Sequence, residues 1–157
     1  MKITQHKFAV IFSLMIIIIA CTNCASQSKL PDTWQPGMVL TITYGGGMRY
    51  YSSEIAIQET GSYRLINEEG KTTRDTLTFT KKQLDDLIRF LKNKKFDQID
   101  SNMRPGIVYD MGTTSTILQW GNNTEGVTIS ATQNISKSDQ DNYNEIRDYI
   151  DKLLAKK

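Results

Sequence analysis

From Met38 onward, apolar residues alternate with polar ones in short stretches that turn residues separate. Residues 38–44 read MVLTITY, and residues 49–58 alternate in the same way. A period of two places the apolar side chains on one face of a strand and the polar side chains on the other. Strands of this kind predict a sheet that is covered on one side and faces solvent on the other.

Four predicted strands precede the first helix and two follow it, at residues 38–44, 49–58, 62–66, 71–79, 112–120 and 127–131. The short turns between neighbouring strands indicate an antiparallel meander. One of these turns is Gly45-Gly46-Gly47, which lacks the Lys-Ser/Thr pair and the following helix of a phosphate-binding loop. We therefore interpret it as a hairpin turn.

Two later stretches repeat apolar residues at helical spacing. The stripes are Leu84, Leu87, Ile88 and Leu91 in the first helix, and Tyr143, Ile146, Ile150, Leu153 and Leu154 in the second. Thr80 and Gln83 form a capping box before the first stripe, and Ser138 is the predicted N-cap of the second helix. The order ββββαββα predicts an α+β domain, with a six-stranded, mostly antiparallel sheet and two helices packed on one face.

The first 21 residues have the organisation of an export signal. Lys2 and Lys7 precede a run of apolar residues, 8–20, which is shorter than the about 20 residues of a membrane span. The run ends in Ile18-Ile19-Ala20-Cys21, which resembles the lipobox of bacterial lipoproteins. The resemblance implies cleavage before Cys21 and lipidation of its thiol. An ordinary secretory signal with a chance cysteine and an uncleaved N-terminal helix are the alternatives.

The predicted organisation is a signal peptide at residues 1–20, a lipidated cysteine with a flexible tether at residues 21–36, and one domain at residues 37–157. The tether is small and polar with two prolines, and would hold the domain on the order of tens of ångströms from the bilayer. We expect Trp34 to pack on the domain edge and Cys24 to be a free thiol. The layout resembles that of small uncharacterised lipoproteins of Gram-negative bacteria. This likeness implies the cell envelope, at the outer membrane, and no particular activity.

Composition excludes several classes of function. Lys2 and Lys7 account for the formal net charge of +2, so the remaining chain is neutral and offers no basic face for nucleic acid. The single histidine is His6, inside the signal. Without histidine, the mature chain cannot use Ser-His-Asp or Cys-His catalysis, and most zinc sites are excluded.

We predict no cofactor and no metal site. The carboxylates in residues 96–111, Asp97, Asp100 and Asp110, do not follow the order of an EF-hand loop. The lysines that end the first helix suit the helix dipole and are interpreted as a solvated helix end.

The expected role is therefore binding or structural, with an envelope protein or a glycan as the partner. Tyr50, Tyr51 and Tyr109 are the candidate contact residues, with Trp34 and Tyr44 beside them, because Tyr and Trp combine apolar area with a polar group. Hydroxyl and charged side chains are predicted on the outward face of the sheet: Thr41, Thr43, Ser52, Glu54, Gln58, Arg64, Arg74, Thr76, Thr78, Thr113, Ser115, Thr128 and Ser130.

Two other functions stay open. One is a carboxylate-based hydrolase of an envelope polymer, with Glu54, Glu59 and Asp110 as the available acids. The other is the pairing of an extended peptide with an edge strand of the sheet.

Overall fold

A six-stranded antiparallel sheet with two helices forms the domain. The computed structural model describes residues 27–46, 51–103 and 112–156. The elements are β1 (Val39–Gly45), β2 (Tyr51–Gln58), β3 (Tyr63–Glu68), β4 (Lys71–Thr76), α1 (Lys81–Asn93), a 3₁₀ helix (Phe96–Gln98), β5 (Ser101–Met103), β6 (Thr113–Trp120), β7 (Asn123–Ile129), β8 (Gln133–Ile135) and α2 (Gln140–Leu154). The large sheet has the order β4-β3-β2-β1-β6-β7. The predicted α+β class is thus confirmed.

Both helices pack on the same face of the large sheet. Leu40 in the central strand β1 lies opposite Ile57 of β2 on one side and Leu118 of β6 on the other. These residues form one buried cluster with the predicted stripes of α1 and α2. We call the other face of this sheet the open face.

The two helices begin differently. Thr80 caps α1 as predicted, because the Gln83 amide donates to Thr80 Oγ1 at 3.2 Å and the Thr80 amide donates to Gln83 Oε1 at 3.0 Å. The N-cap of α2 is Asp139, without a side-chain cap, and the prediction of Ser138 is wrong. Ser138 Oγ lies 2.8 Å from Ser136 Oγ, so its hydroxyl takes part in the preceding turn.

The helices run antiparallel, side by side. The rings of Phe90 and Tyr149 stack with centroids 4.3 Å apart. Nearer the end of α1, Lys94 forms an ion pair with Glu145 near the start of α2. The C-terminal end of α2 therefore lies toward the N-terminal end of α1.

A small second sheet covers part of one edge of the large sheet. Strands β5 and β8 pair with Ser101 opposite Ile135, and the Thr128 amide of β7 donates to Ser101 Oγ at 3.0 Å. The sequence predicted an irregular stretch here and no strand β8. Strands of three residues are too short to show a period of two.

Residues 27–36, which we call the strap, pack along α1. Leu30 and Trp34 are each 2% exposed and belong to the core. The Trp34 amide donates to Asp85 Oδ1 at 2.8 Å, and Lys92 forms an ion pair of 2.7 Å with Asp32. Part of the stretch that was assigned to the tether therefore supplies core residues to the domain.

Candidate ligand-binding pocket

An open pocket of about 330 Å³ lies between the sheet and the C-terminal end of α2. It is lined by Tyr51, Ser53 and Ile55 of β2, Arg64 and Ile66 of β3, Asp151 and Leu154 of α2, and Ala155 directly after it. Helix α2 ends at Leu154, and the neighbouring sheet surface stays accessible beyond this end. The pocket thus lies on the same face of the sheet as the helices, at a place that α2 does not reach.

Strand register places Arg64 in this pocket. Ile55 lies opposite Arg64, and Ser53 lies opposite Ile66, so these side chains share the face that the helices cover. The prediction that Arg64 lies on the open face is therefore wrong. Tyr63 pairs with Ala56 and points to the open face instead. A shift of register by one residue exchanges the two faces of a strand, and a single strand does not reveal its register.

The pocket combines an apolar floor with two opposite charges. Ile55, Ile66 and Leu154 supply the apolar surface, while Arg64 is half-buried and Asp151 is exposed. Within the described residues, neither the Arg64 guanidinium nor the Asp151 carboxylate has a hydrogen-bond or ion-pair partner. A guanidinium of this kind is a bidentate donor for a carboxylate or a phosphate.

Tyr51, one of the predicted contact residues, lines the pocket next to a second tyrosine. Its ring centroid lies 5.7 Å from that of Tyr44, with the planes tilted by 55°. Tyr44 is 40% exposed, and its hydroxyl lies against Gly112, where a Cβ atom would be only 3.0 Å away. This pair gives the pocket an aromatic rim. The other predicted contact residues Tyr50 and Tyr109, and the predicted lipidation site Cys21, lie outside the described residues.

The open face carries a separate polar cluster. The Tyr63 hydroxyl donates to Glu54 Oε1, and the Arg74 guanidinium lies 4.3 Å from the centre of the Tyr63 ring. The hydrogen bond to Glu54 is the main cause that raises the pKa of Tyr63 above its ordinary value, followed by desolvation. Farther along the same face, Ser115 Oγ lies 3.0 Å from Thr128 Oγ1. These groups bond to one another across neighbouring strands, which is usual for the solvated side of a one-sided sheet.

The acids considered for catalysis or metal binding lie apart. Glu54 belongs to the cluster on the open face, Glu59 is exposed in the turn after β2, and Asp97 accepts bonds from the strap. Asp110 lies outside the described residues. In the part of the chain that the structure describes, no three His, Cys, Asp or Glu residues are grouped so as to hold a metal ion.

The edge strand β4 carries charges along its whole length. All six of its residues are exposed, and they include Lys71, Arg74 and Asp75. Charges on a short edge strand oppose pairing with another chain. The opposite edge strand, β7, is partly covered by the small sheet, so peptide pairing gains no support from either edge.

No model of a known protein family and no curated protein matches the chain. Of the helices in the described ranges, none has the length and apolar character needed to cross a membrane.

Proposed function

We propose that this chain is a lipid-anchored lipoprotein of the cell envelope whose domain binds a ligand in the Arg64 pocket. The observation that carries the proposal is the Arg64 guanidinium, which has no partner among the described residues and lies beside the apolar floor of an open pocket. The ligand that fits this chemistry has an apolar group and a carboxylate or phosphate group. Such groups occur in envelope molecules and at the C-terminus of a partner protein.

The two parts of such a ligand would contribute differently. A hydrogen bond to a charged group contributes about 1.5–3 kcal/mol, and Arg64 can offer two in parallel. Each methylene group buried against Ile55, Ile66 and Leu154 adds about 0.8 kcal/mol. Asp151, on the α2 side of the pocket, would favour a ligand that also carries an ammonium or hydroxyl group. Together these groups favour a ligand that joins a polar head group to an apolar part.

The anchor is supported by the lipobox-like end of the apolar N-terminal run, Ile18-Ile19-Ala20-Cys21. Several acyl chains at about 0.8 kcal/mol per buried methylene would hold the protein in the membrane. Metabolic labelling with a palmitate analogue tests this part. Wild type and the matched control Cys24→Ser should be labelled, and Cys21→Ser should not. Equal labelling of Cys21→Ser would refute lipidation at Cys21.

Photo-crosslinking in the native envelope tests the ligand. A benzophenone amino acid in place of Ser53 would be carried by the full lipidated chain, and the attached species identified by mass spectrometry. We expect one specific adduct, reduced at least tenfold in Arg64→Gln and in Tyr51→Ala. Arg74→Gln is the matched control, since Arg74 lies on the neighbouring strand but on the open face, and it should keep the adduct.

Unchanged crosslinking in Arg64→Gln would exclude the pocket as the binding site. Turnover of an envelope polymer by the purified protein would replace the binding role with the hydrolase alternative.

A further inference from the structure

We infer that the strap orients the anchored domain relative to the bilayer. The C-terminal end of α1 then lies against the bilayer, and the ligand pocket lies at the end of the domain farthest from the bilayer. The inference rests on the proposed lipid anchor at Cys21. It adds an interaction surface, the part of the domain around Ser28 and the C-terminal end of α1, and it names the bilayer as the partner of that surface.

The strap is fixed to the domain at its first described residues. The Ser28 hydroxyl donates to Asp97 Oδ1 at 2.7 Å, and the Lys29 amide donates to Asp97 Oδ2 at 2.6 Å. Asp97 lies in the 3₁₀ helix that follows α1. One carboxylate thus holds the chain at the C-terminal end of α1, with a hydrogen bond at each oxygen.

From there the strap runs along α1 in the opposite direction. Asp32 pairs with Lys92 in the last turn of α1, and the Trp34 amide bonds to Asp85 in its first half. Lys81, the first residue of α1, donates to the Trp34 carbonyl at 2.5 Å. Within the described residues, the strap therefore begins at the C-terminal end of α1 and runs toward its N-terminal end.

The segment between anchor and strap is short compared with the domain. A chain spans at most about 3.6 Å per residue, so Ser28 lies no more than about 25 Å from Cys21. A domain of about 130 residues has a radius of gyration of about 14 Å, and its far end lies about 30–40 Å from its near end. The end that carries Ser28 must therefore stay near the bilayer.

The antiparallel helices place the pocket at the other end. Glu145 of α2 contacts Lys94 near the end of α1, and Tyr149 stacks on Phe90 one turn earlier. The next residues of α2 continue toward the start of α1, and the pocket lies beyond them, at Asp151 and Leu154. The pocket thus opens away from the membrane, where a ligand or partner in the aqueous space can reach it.

Charge attraction does not set this orientation. Lys29 and Lys95 are exposed near the strap end, while Lys92 and Lys94 are paired with acids. The exposed Asp100 follows the 3₁₀ helix, and Asp139 occupies the N-cap position at the adjacent end of α2. Charges of both signs lie there, so the orientation depends on the chain length and on the two hydrogen bonds that Asp97 accepts from Ser28 and Lys29, which we call the clasp. It should therefore be insensitive to salt.

Fluorescence quenching by nitroxide-headgroup lipids tests the inference on the full lipidated chain in vesicles of phosphatidylethanolamine and phosphatidylglycerol. In a Cys24→Ser background, bimane is attached to Lys95→Cys or, as the matched control, to Lys82→Cys at the other end of α1. We expect at least threefold stronger quenching at position 95, in low salt and in 0.5 M salt alike. Asp97→Ala should reduce this difference only in part, because buried Leu30 and the Asp32–Lys92 ion pair still hold the strap. Ser28→Ala removes one of the two hydrogen bonds to Asp97 and leaves Asp97 itself unchanged. It should reduce the difference in quenching by a smaller amount than Asp97→Ala does.

Equal quenching at the two positions, stronger quenching at position 82, or no effect of Asp97→Ala would overturn the inference while leaving the anchor intact. Failure of the protein to stay with the vesicles, or retention of Cys21→Ser on them, would instead refute the proposed anchor, and the inference would fall with it.

Discussion

The Ser28 hydroxyl donates a 2.7 Å hydrogen bond to Asp97 across 69 positions of sequence. The bond joins a segment that precedes the first strand to the turn that follows the first helix. Because the second oxygen of Asp97 accepts the Lys29 amide, the carboxylate also fixes the backbone of the strap. A stretch rich in small and polar residues is thereby ordered on the surface of α1.

The strap contacts should weaken in acid. Hydrogen bonds from Lys81 and from the Trp34 amide lower the pKa of Asp85 below its usual 3.8. A depressed pKa stabilises the folded state above pH 3.8, and this contribution is lost as the pH falls through the folded-state pKa. We expect urea denaturation to find wild type more stable than Asp85→Asn at pH 6, with the difference vanishing toward pH 2. A difference that stays the same from pH 6 to pH 2 would contradict this role of Asp85.

The Tyr63 hydroxyl should ionise at a higher pH than an ordinary tyrosine. Its hydrogen bond to Glu54 raises its pKa above 10.0, and the matching stabilisation is complete below pH 10.0 and is lost as the pH rises through the folded-state pKa. A pH titration followed by tyrosinate absorbance at 295 nm should show one component at higher pH than the others, and Tyr63→Phe should remove this component. Glu54→Gln should move this component to lower pH. If it stays in place in Glu54→Gln, the hydrogen bond is not its cause.

Truncation of a core residue of α1 should be costly. Leu87 is fully buried on the inner face of α1. Leu87→Ala should lower the free energy of unfolding by about 2–5 kcal/mol. Ile150→Val in α2 should cost about 0.5–1.5 kcal/mol. Lys82→Ala, on the exposed side of α1, is the control and should change stability by less than about 0.5 kcal/mol. Urea denaturation of the three variants measures these differences, and an unchanged midpoint in Leu87→Ala would contradict the packing.

A buried pair of hydroxyl groups connects the sheet to α2. Thr116 Oγ1 lies 3.0 Å from the Tyr143 hydroxyl, and both residues are buried. Thr116→Val or Tyr143→Phe alone should cost about 1–3 kcal/mol, because each leaves one buried hydroxyl without its partner. The double variant should cost clearly less than the sum of the two. Additive losses in the double-mutant cycle would show that the pair is not coupled.

Local sequence patterns determined the strands of the large sheet and both helices, but not the three-residue strands β5 and β8. The stripe around Leu87 and the capping box of Thr80 and Gln83 placed α1 correctly, because helical spacing and capping involve residues within a few positions of one another. The period of two in β1 and β2 identified which of their faces is apolar. Order and periodicity together sufficed for the α+β class.

Only the tertiary structure decided which residues meet across the chain. Arg64 entered the pocket because β3 pairs with β2 in a register that puts it opposite Ile55, and one residue of slip would have put it on the open face. Leu30 and Trp34 became core residues because Asp97 holds the neighbouring Lys29 amide just after α1 and Asp85 of α1 holds the Trp34 amide. Contacts between residues distant in sequence decide the strand register, the burial of the irregular strap and the place on the sheet that α2 leaves uncovered. The periodicity of a single stretch contains no information about the distant segment that it contacts.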